Sequence, residues 1–252
     1  MTIICDICGK KAIQFLKINK YPQFTINSDS LQKISMNRSL ILKIYFCSSC
    51  KNIFSRNANS YQSLYTNHKA KSINLKKNIN KIRKAIQKIV RLKKKDKVIE
   101  ISKNNIFDKK YINKKKLIFK KINLENFNKE FDYRKFKDIK LILCYDFLGN
   151  IKNLNRFFSI VSKILRYDGS IICQHHYGPS LLRNLTLDRV YPEHLNYLSI
   201  TTLNKISLKH NLIIQKINFF EKKNFFNIQI SKNKKKIYKK KSKIYFKKRK
   251  KN

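Results

Sequence analysis

Four of the six cysteines fall in two C-x-x-C pairs, "CDIC" with Cys5 and Cys8, and "CSSC" with Cys47 and Cys50. A C-x-x-C turn points two thiolates at one metal ion, and two such turns complete a tetrahedral sulfur site. We therefore predict a Zn²⁺ site with these ligands. Because four protein ligands leave no position open for substrate, this zinc is structural. A redox role is the alternative, but the βαβ context of a thioredoxin-like motif is missing around both pairs.

A second constellation lies in "DRVYPEHLNYLS", residues 188–199, where Glu193 adjoins His194 and Tyr191 precedes them. A histidine of near-neutral pKa suits proton transfer, and a tyrosine hydroxyl can donate to a developing oxyanion. A hydrogen-bonded loop is the ordinary alternative for such a group. His175 and His176 end a predicted strand, where ligands of open α/β sheets bind, but they have no cysteine or carboxylate neighbours and predict no metal site.

The charge of the chain is extreme: Lys+Arg number 59 and Asp+Glu 14, a formal net charge of +45. Such a balance suggests a polyanionic partner and allows a basic zinc-ribbon nucleic-acid-binding protein. The alternative is compositional drift, since Lys, Asn and Ile share A/T-rich codons and a dedicated nucleic-acid binder more often uses arginine. Under either explanation we expect salt-sensitive, non-specific binding of polyanions in vitro.

The 252 residues, 42% of them hydrophobic, suffice for one large domain or two small ones with a buried core. No run of about 18 uncharged apolar residues is present, which predicts no transmembrane helix and no membrane partner. The N-terminus reaches its first cysteine pair without the apolar run of a secretory signal. Cysteines in that pattern fit a reducing compartment, so we expect a cytoplasmic protein. The sequence does not predict an oligomeric state.

Apolar spacing predicts a mixed α/β fold. A helix over about 72–92 has one apolar and one basic face, which fits packing on the next domain, a membrane surface or RNA. Strands are predicted at "KVIEIS", "KKLIFKKI", "IKLILCYDFL" and "GSIICQHHY", with a helix between the last two. A helix capped by Ser199 or Thr201 follows, then the strands "LIIQKINFFE" and "FFNIQI". Strand, helix, strand at this spacing predicts a parallel sheet, in which Cys144 and Cys173 are core residues.

The order of these pieces resembles one family, the zinc-binding-domain sugar C-methyltransferases, which depend on S-adenosylmethionine and methylate a ring carbon of nucleotide-linked deoxysugars. The resemblance covers about residues 5–230. Three stretches carry it: "CDIC…CSSC", "VIEISKNN" and "DRVYPEHLNYLSITTLNKISLKHNL". The third resembles the family's isoleucine-tyrosine-histidine-glutamate-histidine-leucine-serine run almost position by position.

The resemblance implies a Rossmann-like methyltransferase domain between a four-cysteine module and a C-terminal lobe. The implied division is 1–70 zinc-binding module, 71–95 linking amphipathic helix, 96–180 Rossmann-like core, 181–232 C-terminal lobe with the Tyr-x-Glu-His motif, and 233–252 basic disordered tail. The implied activity is C-methylation of a nucleotide-linked sugar or a similar small molecule, with His194 as general base. The implied supporting residues are catalytic Glu193 and Tyr191, cofactor-binding Glu100, Ser102 and Asn104, and substrate-binding Tyr61 and His68.

Three departures from the family weaken the implied cofactor site. Ser102 and Ile106 replace two loop glycines, and positive φ at Ile106 would be costly. The second strand ends in lysines, with only Glu125 nearby as a carboxylate for the ribose hydroxyls. Asn150 stands where the family has a further histidine, and Gln174 where it often has a glutamate. A degenerate member that keeps the fold without catalysis is therefore the rival hypothesis.

Overall fold

The computed structural model describes residues 2–22, 39–56, 73–102, 105–123, 132–145, 147–184, 190, 194–220 and 225–232. The described strands, in chain order, are β1 (Thr2–Ile4), β2 (Lys11–Pro22), β3 (Ser39–Cys47), β4 (Asn52–Ser55), β5 (Lys97–Ser102), β6 (Ile118–Lys121), β7 (Ile139–Tyr145), β8 (Leu165–His176), β9 (Asn196–Tyr197), β10 (Leu212–Phe220) and β11 (Phe225–Lys232). The described helices are α1 (Ile73–Ile89), α2 (Lys109–Lys115), α3 (Leu154–Ile164), α4 (Gly178–Arg183) and α5 (Ile200–Lys209). None of these helices is long and apolar enough to cross a membrane.

The larger sheet has six strands in the order β10-β11-β8-β7-β5-β6. Its strands β6, β5, β7 and β8 are mutually parallel, and β11 is antiparallel to both β8 and β10. The predicted Rossmann-like α/β fold is confirmed, and each predicted strand of this region is present. The strands of the predicted C-terminal lobe, β10 and β11, lie in the same sheet as the predicted core.

The smaller sheet is antiparallel, with the order β1-β2-β3-β4-β9. Its last strand comes from far along the chain: Ile53 pairs with Tyr197 and Phe54 with Asn196. The stretch with the Glu-His pair therefore leads directly into an edge strand of the cysteine-bearing sheet. The sequence did not predict this pairing, because a two-residue strand has no readable periodicity.

Local sequence signals set the helix starts. Ser199 caps α5 by accepting from the backbone N–H of Thr202 at 3.0 Å, which satisfies an N–H that has no partner inside the helix. Asn153 caps α3 in the same way, accepting from Arg156 N at 2.8 Å. Helix α1 places Ile86, 3% exposed, against the face of the sheet formed by Val98 and Leu141. Of its three predicted roles, packing on the following domain is confirmed.

One apolar cluster joins the two sheets. It contains Cys5 and Cys50 of the cysteine pairs together with Phe157 of α3 and Leu203 of α5. The hydroxyl of Thr202 donates to the carbonyl of Cys50 at 3.0 Å, so the contact is polar as well as apolar. Burial of apolar surface stabilises such a contact by about 25 cal/mol per Å², so this shared core holds the two sheets together.

Candidate functional site

The cysteine cluster lies where the β1–β2 and β3–β4 turns meet. Its sulfur atoms all lie within 4.8 Å of one another, and the Sγ atoms of Cys5 and Cys50 are 3.5 Å apart. The Sγ atoms of Cys8 and Cys47 are also 3.5 Å apart. A tetrahedral ion with Zn–S bonds of about 2.3 Å separates its sulfurs by about 3.8 Å, so small adjustments suffice to accept Zn²⁺. The donor set therefore fits the predicted metal.

The protonation of the free thiols reflects their crowding. The hydrogen bond from Cys50 lowers the pKa of the Cys5 thiol to about 5, and the same bond raises the pKa of Cys50. Burial raises the pKa of Cys47. Thiols that share protons at this distance exchange them for a divalent cation, since zinc binds the thiolate form. A bound Zn²⁺ would hold the two turns together.

Helices of the larger domain hold the turns from outside. Lys205 of α5 donates to the carbonyl of Ser49, and Asn155 of α3 donates to the carbonyl of Asp6. On the outer side of the cluster, Arg56 forms a bidentate ion pair with Asp6, in which both N···O distances are 2.5 Å. The cysteine module is therefore fixed to the Rossmann-like domain through the backbone of its own metal-binding turns.

The topological switch point of the larger sheet lies between β5 and β7. After β5 the chain adds β6 on one side, and it then returns to place β7 on the other side. The carboxyl ends of strands that diverge in this way form a crevice, which is where open α/β sheets bind their ligands. Glu100 and Ser102 at the end of β5, and Tyr145 at the end of β7, are at this position.

Glu100 is fully buried and organises the loop after β5. Its Oε1 accepts from Ser102 Oγ at 2.5 Å and from Ile106 N at 2.9 Å, and its Oε2 accepts from Phe107 N at 3.0 Å. A buried carboxylate needs such donors to offset its desolvation. Glu100 thus fixes the loop backbone, and its cofactor contact stays a prediction.

Ile106 takes a role that a glycine could not. It is 0% exposed, packs with Val98 and Leu141, and is not among the described residues with positive φ. The conformational cost expected for a β-branched residue at this position is therefore not incurred. Position 106 is therefore a core position here rather than an open backbone position.

The end of β6 does not fit the ribose of S-adenosylmethionine in the family's manner. Lys121 occupies the position expected for an acidic residue, and its Nζ donates to Asn105 Oδ1 at 2.7 Å. A cation cannot accept hydrogen bonds from ribose hydroxyls. Among the residues that the structure describes, no carboxylate takes this place, and Glu125 lies outside them.

Three histidines gather at the carboxyl end of β8. The ring centroids of His176 and His194 are 5.9 Å apart, and those of His175 and His176 are 6.2 Å apart. The His176 ring also contacts that of Phe225 in a tilted arrangement with centroids 4.0 Å apart, and His194 meets Tyr197 edge-on at 6.0 Å. The sequence predicted His194 as a site residue, and the structure shows that His176 lies next to it.

Burial keeps the imidazoles of His175 and His194 neutral. It lowers the pKa of His194 to about 4. Burial also lowers the pKa of His175 to about 3, with a smaller contribution from the charges of His194 and His176. His175 Nε2 lies 3.3 Å from the carbonyl of Asn196, and its Nδ1 has no hydrogen-bond partner among the described residues. At neutral pH each ring therefore has one nitrogen that can accept a proton.

Close backbone approaches hold this histidine group. A Cβ on Gly149 would lie 2.6 Å from Cε1 of His175, so only glycine fits beside the ring. The N–H of Leu195, next to His194, donates to the carbonyl of Gly149 at 2.7 Å. The segment that carries Asn150 in place of the family's histidine therefore runs alongside the Glu-His stretch.

Tyr145 and Gln174 add two polar side chains near the carboxyl ends of β7 and β8. The sequence did not predict that they contact each other. The amide of Gln174 donates to the hydroxyl of Tyr145 at 2.9 Å, across the ends of two neighbouring parallel strands. Both residues lie near predicted strand ends, so the strand prediction with the carboxyl-end rule was the signal that could have paired them.

Several predicted site residues lie outside the described residues: Tyr191, Glu193, Asn104, Tyr61 and His68. Their roles stay predictions. Of the predicted catalytic and cofactor residues, the structure describes His194, Glu100 and Ser102. These three lie at the same edge of the sheet, on β5 and just beyond β8.

The comparisons with known proteins concern the fold. No protein-family model matches the sequence, and no curated protein matches it. A crystal structure of a Pyrococcus horikoshii protein matches with 13% identity and a TM-score of 0.45, covering 68% of this chain and 97% of that one.

Two further structures are described as S-adenosylmethionine-dependent methyltransferases. The one from Mesorhizobium loti has 10% identity, a TM-score of 0.42, and coverage of 58% of this chain and 95% of that one. The TehB-like one from Corynebacterium glutamicum has 10% identity, a TM-score of 0.40, and coverage of 62% and 93%. Identities this low establish no activity, and the fold assignment rests on the strand order of this chain.

Proposed function

We propose that this chain is an S-adenosylmethionine-dependent methyltransferase that methylates carbon in a nucleotide-linked sugar or a similar small molecule. His194 is its general base, and the four cysteines hold a structural zinc. The observation that carries the proposal is the position of His194, buried beside His176 and Tyr197 at the carboxyl end of β8. The motif resemblance in this same stretch supports it.

The chemistry asked of the chain is removal of a proton from a carbon next to a carbonyl. A neutral imidazole accepts such a proton, and the burial that keeps the pKa of His194 at about 4 preserves its neutral form at neutral pH. The same low pKa makes it a weak base in the absence of ligand. A bound substrate whose charge turns negative during the reaction would raise that pKa and strengthen the base.

Neighbouring groups can serve the developing oxyanion. The Tyr145 hydroxyl accepts the Gln174 amide hydrogen at the ends of β7 and β8, which places a polar pair where open α/β sheets bind their ligands. When bound, S-adenosylmethionine supplies an electrophilic methyl group. Because the residues at the end of β6 do not fit its ribose, we assign no step through the cofactor.

Calorimetric titration of the zinc-loaded protein with S-adenosylmethionine tests cofactor binding. A saturable heat is expected, and the absence of heat at millimolar cofactor would contradict the proposal. His194→Gln serves as the matched variant, because it should bind cofactor normally while losing proton exchange. Exchange is followed by deuterium incorporation from solvent into a panel of nucleotide-linked keto-deoxysugars.

A second candidate is a non-catalytic protein that keeps this fold without the cofactor. The Lys121–Asn105 hydrogen bond favours it, because it places a cation and its partner where ribose hydroxyls would bind. Ser102→Gly distinguishes the candidates, since it restores a glycine of the family's loop and removes the hydroxyl that donates to Glu100. A gain of cofactor binding in this variant alone indicates degeneracy. Equal binding by the natural protein and the variant supports the methyltransferase.

A further inference from the structure

Two lysine triplets meet at the end of the larger sheet that faces away from the histidines. Lys93, Lys94 and Lys95 precede β5, and Lys114, Lys115 and Lys116 precede β6; together they are called the lysine cluster. The backbone N–H of Lys95 donates to the carbonyl of Lys116 at 2.8 Å, which holds the triplets side by side. All six side chains are exposed. A strand the length of β5 separates this end from the candidate active site by about 20 Å.

Two acidic residues at this end are held by partners outside the cluster, and a third, Asp138 before β7, is exposed. Asp96 is 5% exposed, accepts from the backbone N–H of Lys93 at 2.7 Å, and pairs with Arg166 at 3.1 Å. Asp168 pairs with Arg166 at 2.5 Å and with Lys140 at 2.9 Å. In the part of the chain that the structure describes, no ion pair joins a carboxylate to a lysine of the cluster.

Two lysines of the cluster have a left-handed backbone. Lys95 has φ 63° and Lys116 has φ 51°. Asparagine adopts this region more readily than other residues that have a side chain, so it removes the charge at these positions without adding backbone strain.

An exposed aromatic ring lies at the same end of the sheet as the cluster. Ile139 pairs with Leu165 and Leu141 with Ser170, so residues 166–169 bulge from β8. Tyr167 is 68% exposed in this bulge, and the ion pair from Arg166 to Asp96 ties the bulge to the first lysine turn. Lysines contact phosphates, and an exposed tyrosine stacks on an unpaired base. Anionic lipid headgroups also attract lysines, so the exposed ring is what favours a nucleic acid over a membrane surface.

We infer that the lysine cluster and Tyr167 form a binding surface for single-stranded nucleic acid, separate from the proposed active site. The six ammonium groups bind the phosphate backbone without reading sequence, and Tyr167 stacks on a base. Since the two sites are at opposite ends of the sheet, bound nucleic acid leaves the histidine crevice open.

The test measures binding of a labelled oligouridine of about 12 nucleotides to the full-length, zinc-loaded protein by fluorescence anisotropy from about 50 to 300 mM salt. The cluster variant keeps left-handed positions favourable by using asparagine there: K93Q, K94Q, K95N, K114Q, K115Q and K116N. The control variant removes the same charge at exposed sites elsewhere: K11Q, K17Q, K20Q, K84Q, K109Q and K110Q.

The cluster variant should weaken binding at least tenfold at about 150 mM salt and lower the salt slope by about 0.7 for each phosphate that it no longer neutralises. The control variant should lose less than half as much affinity. Equal decreases in the two variants would overturn the inference, because total charge would then explain binding. Unfolding curves and zinc content show whether both variants are folded.

Single substitutions keep the test decisive if the sixfold variant fails to fold. Tyr167→Ala should weaken oligouridine binding about fivefold or more, and Tyr167→Phe less than twofold, because stacking needs only the ring. No effect of Tyr167→Ala would overturn the single-strand assignment. Binding to phosphatidylserine vesicles that the cluster variant abolishes, with oligouridine binding unchanged, would instead identify a membrane partner.

Discussion

The four-cysteine cluster and the loop after β5 both lie at strand ends, and they differ in what they leave open to a ligand. The cluster places four thiols within 4.8 Å of one another. In the loop Ile106 is fully buried, and the polar groups at the end of β5, Glu100 and Ser102, bond to each other. A site made of side chains needs only a few residue types, whereas a site made of open backbone is closed when side chains fill it.

The two regions are nevertheless joined. Strand β9 adds to the cysteine-bearing sheet while His194, two residues before it, lies over the end of β8. A change in the metal site should therefore be transmitted to the histidines. A change in the loop after β5 should affect the histidines less, because strand β7 lies between β5 and β8.

Loss of a metal ligand should give the largest effect. Cys50→Ser removes a buried ligand whose carbonyl also anchors Thr202, and we expect loss of zinc with several kcal/mol of stability. Cys144→Ala, in the core of the larger sheet, is the control and should cost about 1 kcal/mol with zinc retained. Zinc content and urea unfolding measure both. Absence of zinc from the natural protein, or unchanged stability in Cys50→Ser, would show that the cluster holds no structural metal.

The loop should be the next most sensitive region. Ile106→Gly removes a fully buried side chain, and we expect a decrease of about 4 kcal/mol in the free energy of unfolding. Ser102→Gly removes one hydrogen bond and should cost about 1 kcal/mol. Urea unfolding compares them. If Ile106→Gly were as stable as the natural protein, the loop would still be an open glycine-type site.

Acid should destabilise the histidine group. The folded-state pKa values of His175 and His194, about 3 and about 4, lie below the unfolded value of about 6.5, so the unfolded chain binds more protons below that pH. The stability that the two neutral histidines contribute is therefore fully present above about pH 6.5. It decreases as the pH falls, and at pH 5 each histidine lowers the free energy of unfolding by about 2 kcal/mol.

His194→Gln isolates this contribution. With excess zinc present, the stability difference between pH 7.5 and pH 5 should shrink by about 2 kcal/mol in the variant. His210→Gln, at a half-buried position on the end of α5, should change the difference less. An identical pH dependence in His194→Gln and the natural protein would argue against a buried neutral ring.

The outer ion pair should matter least. Arg56 and Asp6 are 42% and 49% exposed, so water and salt screen their attraction despite the two short contacts. We expect Arg56→Ala to cost less than about 1 kcal/mol, measured by thermal unfolding with zinc bound. A destabilisation comparable to that of Cys50→Ser would mean that this pair, rather than the metal, closes the module.

Much of this architecture was predictable from the amino-acid sequence. Periodicity located the parallel strands and the helix before β5, because buried faces repeat at fixed spacing. Ser199 was readable as a cap, and the paired cysteines as one cluster. The spacing gave no indication that β9 would join the cysteine-bearing sheet, or that His176 would meet His194, because these contacts join segments far apart in sequence.

The sequence by itself therefore determined which cysteines form the four-thiol cluster, the class of fold, and the individual strands and helices. Only the tertiary structure decided that Ile106 is a core residue, that Lys121 donates to Asn105, and that two lysine triplets share one surface. The physical reason is that residue type sets what a side chain can bond to. Its burial and its neighbours are set by how distant segments pack.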